Sequence, residues 1–81
     1  GKIFYNPEAI NISTGTTVEW TNEDSAMHTA TSGSPTSGVD GVFDSEILNI
    51  DDTYQFTFTD LGNYDYYCIL HPWMIGTVNV E

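Results

Sequence analysis

The sequence predicts an all-β domain of about eight short strands, packed as an antiparallel β-sandwich or barrel. Apolar and polar residues alternate with a period of two in several segments, most clearly in residues 17–22 and 54–59. Turn-forming residues separate these segments at short intervals. No segment of ten residues has a helical period, so no crossover helix is available, and we expect antiparallel pairing.

Each predicted strand is bounded by residues that favour turns, such as the Asn6-Pro7 pair. The strands are expected at residues 2–5, 9–12, 17–22, 28–32, 43–50, 54–59, 64–68 and 76–80. We expect the segment 43–50 to contain short strand material with one irregular or helical turn. Glycine, serine and proline dominate residues 33–41, which predicts the longest loop and the most mobile part of the chain.

Length and charge limit the function classes. A chain of 81 residues predicts one domain, 1–81, with a single small core. The chain has twelve acidic residues and one basic residue, Lys2, so its net charge is −11. A basic surface that binds the phosphates of nucleic acid is therefore excluded. The acids are spread along the chain, which favours solubility or a saline setting over steering toward a basic partner. A single cysteine excludes an internal disulfide, and no segment is apolar enough to span a membrane.

Soft metal ligands are concentrated near the C-terminus. Cys68, His71 and Met74 follow one another at three-residue steps, and His28 lies forty positions upstream. Two imidazoles, a thiolate and a thioether are the ligand set of blue-copper electron-transfer sites. Thiolate and thioether favour Cu(I), whereas imidazole serves both oxidation states, so little has to move when one electron is exchanged.

The predicted strands bring these residues to one end of the sandwich. Cys68 ends a strand, a short loop carries His71 and Met74, and the next strand begins near Gly76. His28 follows the turn at residues 23–26 and begins another strand. We therefore expect the loop and the distant histidine to converge.

Each of these four residues could also have an ordinary structural role. Taken singly, Cys68 and Met74 could fill the core, and the two histidines could be ordinary surface residues. The joint spacing favours a metal site. Zinc would accept cysteine and histidine, but Met74 is a poor zinc ligand. Nucleophilic catalysis by Cys68 lacks a cation to lower the thiol pKa, and no glycine-flanked turn supports a Ser-His-Asp triad.

Three stretches resemble the small cupredoxins, the family of plastocyanin, amicyanin and pseudoazurin. They are residues 24–32, 43–45 and 64–78, and the resemblance extends over nearly the whole chain. It implies a Greek-key β-sandwich, the cupredoxin fold, with one bound type 1 copper ion.

The resemblance also implies a role for each site residue. His28, Cys68 and His71 would be the equatorial copper ligands, and Met74 the axial one. Thr29 would brace the site through its backbone near the cysteine sulfur.

Two residues near the site depart from the family pattern. Met27 stands where relatives often carry proline, and Trp73 is bulkier than the residue many relatives have before the axial methionine. With Leu70 and Pro72 they are expected to form an apolar docking patch around the edge of His71. For Leu70, core packing is an equal alternative.

The expected function is single-electron transfer between redox partner proteins rather than catalysis. Transient docking to redox partner proteins, with basic partners as one option, is expected from the resemblance. A monomeric state and an extracytoplasmic location (periplasm, lumen or cell surface) are expected as well, with or without a membrane tether in the full-length protein. Two alternatives stay open. One is a copper-dependent redox enzyme acting on a small molecule such as a nitrogen oxide, and the other is a copper store or chaperone.

Overall fold

The computed structural model describes Tyr5 and residues 7–81, which form seven strands and no helix. The strands are β1 (Ala9–Ile12), β2 (Thr16–Thr21), β3 (Thr31–Ser34), β4 (Gly38–Asp44), β5 (Thr53–Phe58), β6 (Gly62–Tyr67) and β7 (Ile75–Val80). Within this described part, no helix could cross a membrane. The predicted strand at residues 2–5 lies outside the described residues except for Tyr5.

The strands form a five-stranded sheet in the order β1-β7-β6-β3-β4 and a two-stranded sheet of β2 and β5. Strands distant in sequence lie side by side, as Greek-key connections produce. The predicted all-β sandwich is confirmed. One pair departs from the antiparallel expectation, because β1 runs parallel to β7. Almost the whole chain connects these two strands, so the parallel pair needs no crossover helix.

Side chains from both sheets share one aromatic core. Trp20 of β2 lies 5.2 Å from Phe43 of β4 and 5.4 Å from Tyr66 of β6, measured between ring centroids. Phe58 and Val78 are among the most deeply buried side chains. The period of two in β2 and β5 therefore marks the core-facing residues, as the alternation in the sequence predicts.

The predicted loop at residues 33–41 is wrong. β3 and β4 form a hairpin across this segment, and only residues 35–37 form its turn. A Cβ atom at Gly33 would lie 2.1 Å from the carbonyl oxygen of Gly38, so the close approach of the two strands requires glycine. The Ser32 hydroxyl accepts hydrogen bonds from two backbone N–H groups of β4. Glycine and serine thus support a bulged hairpin here rather than a loop.

The chain around His28 is extended but is not part of a strand. His28 forms an isolated antiparallel bridge with Leu48, and the predicted strand at 28–32 begins only at Thr31. Both backbone hydrogen bonds of the bridge are made, at 3.1 and 2.7 Å. Residues after β4 are irregular, as expected, and Glu46 has a positive φ of 58°. The bridge holds both the backbone N–H and the backbone carbonyl of His28 against Leu48.

Candidate metal centre

The predicted ligands lie at one end of the sandwich, around a fully buried thiol. Cys68 follows β6 directly and has no exposed surface. His28 and Met74 are also buried, whereas His71 is half-buried. The centroids of the two imidazole rings are 4.9 Å apart. The structure therefore brings His28 close to both Cys68 and His71, and places Met74 at the end of the same loop.

The distance between Cys68 and His28 suits a shared metal ion. The sulfur lies 3.8 Å from Nδ1 of His28. With metal–sulfur and metal–nitrogen bonds of about 2.3 and 2.0 Å, two ligands in a trigonal arrangement are about 3.7 Å apart. The thiol and the imidazole nitrogen are therefore spaced as two ligands of one ion would be.

Backbone hydrogen bonds close the loop that carries the other two residues. The N–H of Cys68 donates to the carbonyl of Met74 at 3.0 Å, and the N–H of Met74 donates to the carbonyl of His71 at 2.8 Å. The N–H of His71 donates back to the carbonyl of Cys68 at 3.1 Å. The loop is a compact turn between β6 and β7, which pair directly beside it. Its two ends cannot separate without breaking that pairing.

Thr29 clamps the loop to the chain beside His28. Its backbone N–H donates to the sulfur of Cys68 at 3.3 Å, and its hydroxyl accepts the N–H of Ile69 at 3.0 Å. Its carbonyl accepts the hydroxyl of Tyr5. An N–H directed at the sulfur stabilises a thiolate, the form that binds metal. Burial, with a smaller contribution from Cys68, raises the pKa of Tyr5, so this phenol stays a donor at alkaline pH, where an exposed tyrosine would ionise.

Two polar residues at this end were not predicted from the sequence. The carboxylate of Asp24 lies 2.9 Å from Nε2 of His28, and Asn22 binds the backbone around it. Both side chains are buried, although aspartate and asparagine are usually exposed. An acid four residues before a histidine, within a predicted turn, was the signal available in the sequence.

The other face of the site is apolar and exposed. The ring of His71 packs against that of Trp73 at 5.2 Å between centroids. Leu70 and Pro72 flank His71 in the chain and Met27 precedes His28. Together with Trp73 they are exposed, and we call these four residues the collar: Met27, Leu70, Pro72 and Trp73. Leu70 is 43% exposed, so the alternative that it packs in the core is wrong.

Among the described residues, no three His, Cys, Asp or Glu side chains are already arranged as a metal site in this structure. The candidate centre therefore rests on the spacing of one ligand pair, on the adjacent ring of His71 and on the loop that carries Met74. A thioether belongs to the proposed set, and this distinguishes the centre from a zinc cluster of thiolates and imidazoles.

Comparison with known proteins gives the same picture. The model of the copper binding proteins of the plastocyanin/azurin family matches residues 1–81. The chain is 36% identical over 80 residues to amicyanin from Paracoccus versutus and 31% identical over 80 residues to amicyanin from Paracoccus denitrificans. This chain belongs to the plastocyanin/azurin family. The expected resemblance to small cupredoxins is thereby confirmed.

Solved structures of cupredoxins superpose on this chain and share its fold. A purple cupredoxin from Nitrosopumilus maritimus superposes with a TM-score of 0.90 at 42% identity, covering 96% of this chain and 82% of that one. A reduced mutant of amicyanin superposes with a TM-score of 0.85 at 31% identity, covering 100% of this chain and 76% of that one. The chain spans 60% of the length of the two curated Paracoccus amicyanins, although it is itself matched over 99%.

Proposed function

We propose that this domain is a type 1 copper protein that carries single electrons between redox partners. His28, Cys68 and His71 would hold the copper ion as its three stronger ligands, and the thioether of Met74 would be the fourth and weaker one. The observation that carries the proposal is the buried Cys68 sulfur, 3.8 Å from Nδ1 of His28 and accepting the N–H of Thr29. Copper supplies the electron by alternating between Cu(I) and Cu(II).

The protein's part is to keep the ligands in place while the charge changes. Backbone bonds close the loop from Cys68 to Met74, and Thr29 fastens that loop to the neighbouring segment. Burial keeps water away from the sulfur, and one N–H lowers its electron density. A ligand set that is held in place from several directions changes little between oxidation states, which favours fast electron transfer.

Electrons leave and enter through the edge of His71, which is half-buried, whereas the other three proposed ligands are buried. The collar around it gives an apolar contact surface for transient docking. A net charge of −11 disfavours partners that carry acidic residues around their own apolar contact. We further propose that the domain acts as a monomer in an extracytoplasmic location, on the basis of its kinship with amicyanins.

Electrochemistry of the copper-loaded protein tests this function. The protein should show a reversible one-electron wave, and mixing its reduced and oxidised forms should give rapid self-exchange in NMR line widths. Trp73→Ala, which alters the collar but no ligand, should keep the wave and slow the exchange. Loss of copper on reduction, or an irreversible wave, would count against the carrier.

One observation favours a second candidate, a copper enzyme acting on a small molecule such as a nitrogen oxide. A cavity of about 200 Å³ borders His28 and Met74 and is also lined by Trp20 and Tyr66. The enzyme ranks below the electron carrier because Cys68, His28 and Met74 are buried, which limits the approach of a small molecule to the metal. Nitrite added to the Cu(II) protein should leave its electron-spin spectrum unchanged. A new copper signal would favour the enzyme.

A further inference from the structure

The two ring nitrogens of His28 have different partners. Nδ1 faces the sulfur of Cys68 at 3.8 Å, and Nε2 lies 2.9 Å from the carboxylate of Asp24. The side chains of His28 and Asp24 are both buried, at 8% and 9% relative exposure. An ionised carboxylate can only accept, so Nε2 must carry the proton in this hydrogen bond. In the neutral ring, Nδ1 then carries the lone pair, which faces the sulfur side, where a metal would lie.

Asp24 is itself held by a buried asparagine. The backbone N–H of Asp24 donates to Oδ1 of Asn22 at 2.9 Å. The amide of Asn22 donates to the carbonyl of Ala26 at 2.9 Å and to that of Leu48 at 2.8 Å. Asn22 therefore ties the turn that carries Asp24 to the residue that bridges His28. Asn22 thus holds the backbone of Asp24, and Leu48, which Asn22 also binds, holds the backbone of His28.

We propose that Asp24 is a positioning residue: its carboxylate fixes His28 in the Nε2–H tautomer and presents Nδ1 to the copper ion. Histidines that bind metals commonly donate their second N–H to a carboxylate, which fixes the tautomer and makes the ligand nitrogen more basic. The proposal rests on the proposed function in taking His28 as a copper ligand. Its tautomer, however, is a property of the metal-free chain and can be measured without copper.

Nitrogen NMR of the metal-free, ¹⁵N-labelled protein, at a pH where imidazoles are neutral, tests the tautomer. Wild type should show His28 protonated at Nε2, and Asp24→Ala should convert it to a mixture of both tautomers. Glu23→Ala removes the neighbouring acidic side chain and should leave the wild-type pattern. Protonation at Nδ1 in wild type would overturn the proposal without any variant. An unchanged Nε2–H signal in Asp24→Ala would overturn it too.

Copper affinity gives the second readout, measured by competition with a chelator. Asp24→Ala should weaken Cu(II) binding about 10- to 100-fold, the usual cost of losing such a partner, whereas Glu23→Ala should stay within about 2-fold. Equal affinity of Asp24→Ala and wild type would overturn the positioning role while leaving the copper site intact. Failure of wild type to bind copper would overturn the proposed function instead, and the tautomer measurement would still decide the role of Asp24.

Discussion

The two histidines of the candidate centre are held in opposite ways. His28 is buried, bridged to Leu48 through its backbone and bonded to Asp24 through its ring. His71 is half-buried, and its ring contacts are the His28 ring and the exposed ring of Trp73. A ring hydrogen bond secures His28 in addition to its backbone bridge, whereas backbone hydrogen bonds within a short loop secure His71. The His28 side of the centre therefore has a fixed geometry, whereas the His71 side is accessible to solvent and to partner proteins.

Cys68 joins these two sides, so its removal should have the largest effect. Cys68→Ser should abolish the intense visible absorption of the Cu(II) protein completely, because only the thiolate can donate charge to copper in this way. Absorption spectra of the copper-loaded variant check this. Met27→Ala, a change of an exposed methionine that is not a proposed ligand, is the control and should keep the colour. A coloured Cys68→Ser protein would show that the Cys68 thiolate is not the source of the absorption, and Cys68 would then not join the two sides of the centre.

Replacing each histidine in turn tests the comparison itself. His71→Gly and His28→Gly should both lose the wild-type spectrum on copper loading. Added imidazole should restore most of it in His71→Gly, because that position is open to solvent, and should fail in His28→Gly, where the ring is buried. Titration of each variant with imidazole, followed by absorption, gives the measurement. Equal rescue of both variants would show that the two sides do not differ in access.

The two tryptophans separate structural support from surface function. Trp20 is 8% exposed in the core, and Trp73 is 62% exposed in the collar. Trp20→Ala should lower the free energy of unfolding by about 3–5 kcal/mol. Trp73→Ala should change it by less than about 0.5 kcal/mol. Denaturant unfolding of both variants provides the values. A large loss of stability in Trp73→Ala would mean that the collar is part of the core support and not a free contact surface.

The smallest expected effect is a change in the free energy of unfolding at high pH, and it comes from buried tyrosines. Burial raises the pKa of Tyr5 and of Tyr66 above the ordinary value of 10.0. Above about pH 10 the unfolded chain loses phenol protons that the folded chain retains, so the free energy of unfolding falls as pH rises. Urea unfolding at about pH 8 and about pH 10.5 should show this decline, and Tyr66→Phe should make it shallower. A decline of equal slope in both proteins would exclude Tyr66 as a contributor.

Local patterns in the sequence predicted much of the fold. The period of two identifies the inward residues of β2 and β5, since alternate side chains of a strand point to opposite faces. The three-residue steps from Cys68 to Met74 indicate a compact loop, and the chain does turn there. Pairings between distant segments were not predictable in this way. Nothing local to residues 9–12 shows that β1 lies parallel to β7.

Side-chain partnerships were the other limit. In the sequence Asp24 looks like an ordinary turn residue and Asn22 like the end of a strand, and their bonds to His28 and Leu48 depend on how the turn folds over the bridge. Gly33 signalled a flexible loop, yet its role is to let two strands approach closely. Composition reports which conformations a segment tolerates, and tertiary contacts then decide among them.

The visible and electron-spin spectrum of the protein loaded with one equivalent of Cu(II) tests the central claim most directly. The account predicts an intense visible band from the Cys68 thiolate to copper, with an electron-spin signal from a single type of site, and loss of both on one-electron reduction. A colourless protein with stoichiometrically bound copper would contradict it, because the buried thiolate would then not be a ligand of the metal.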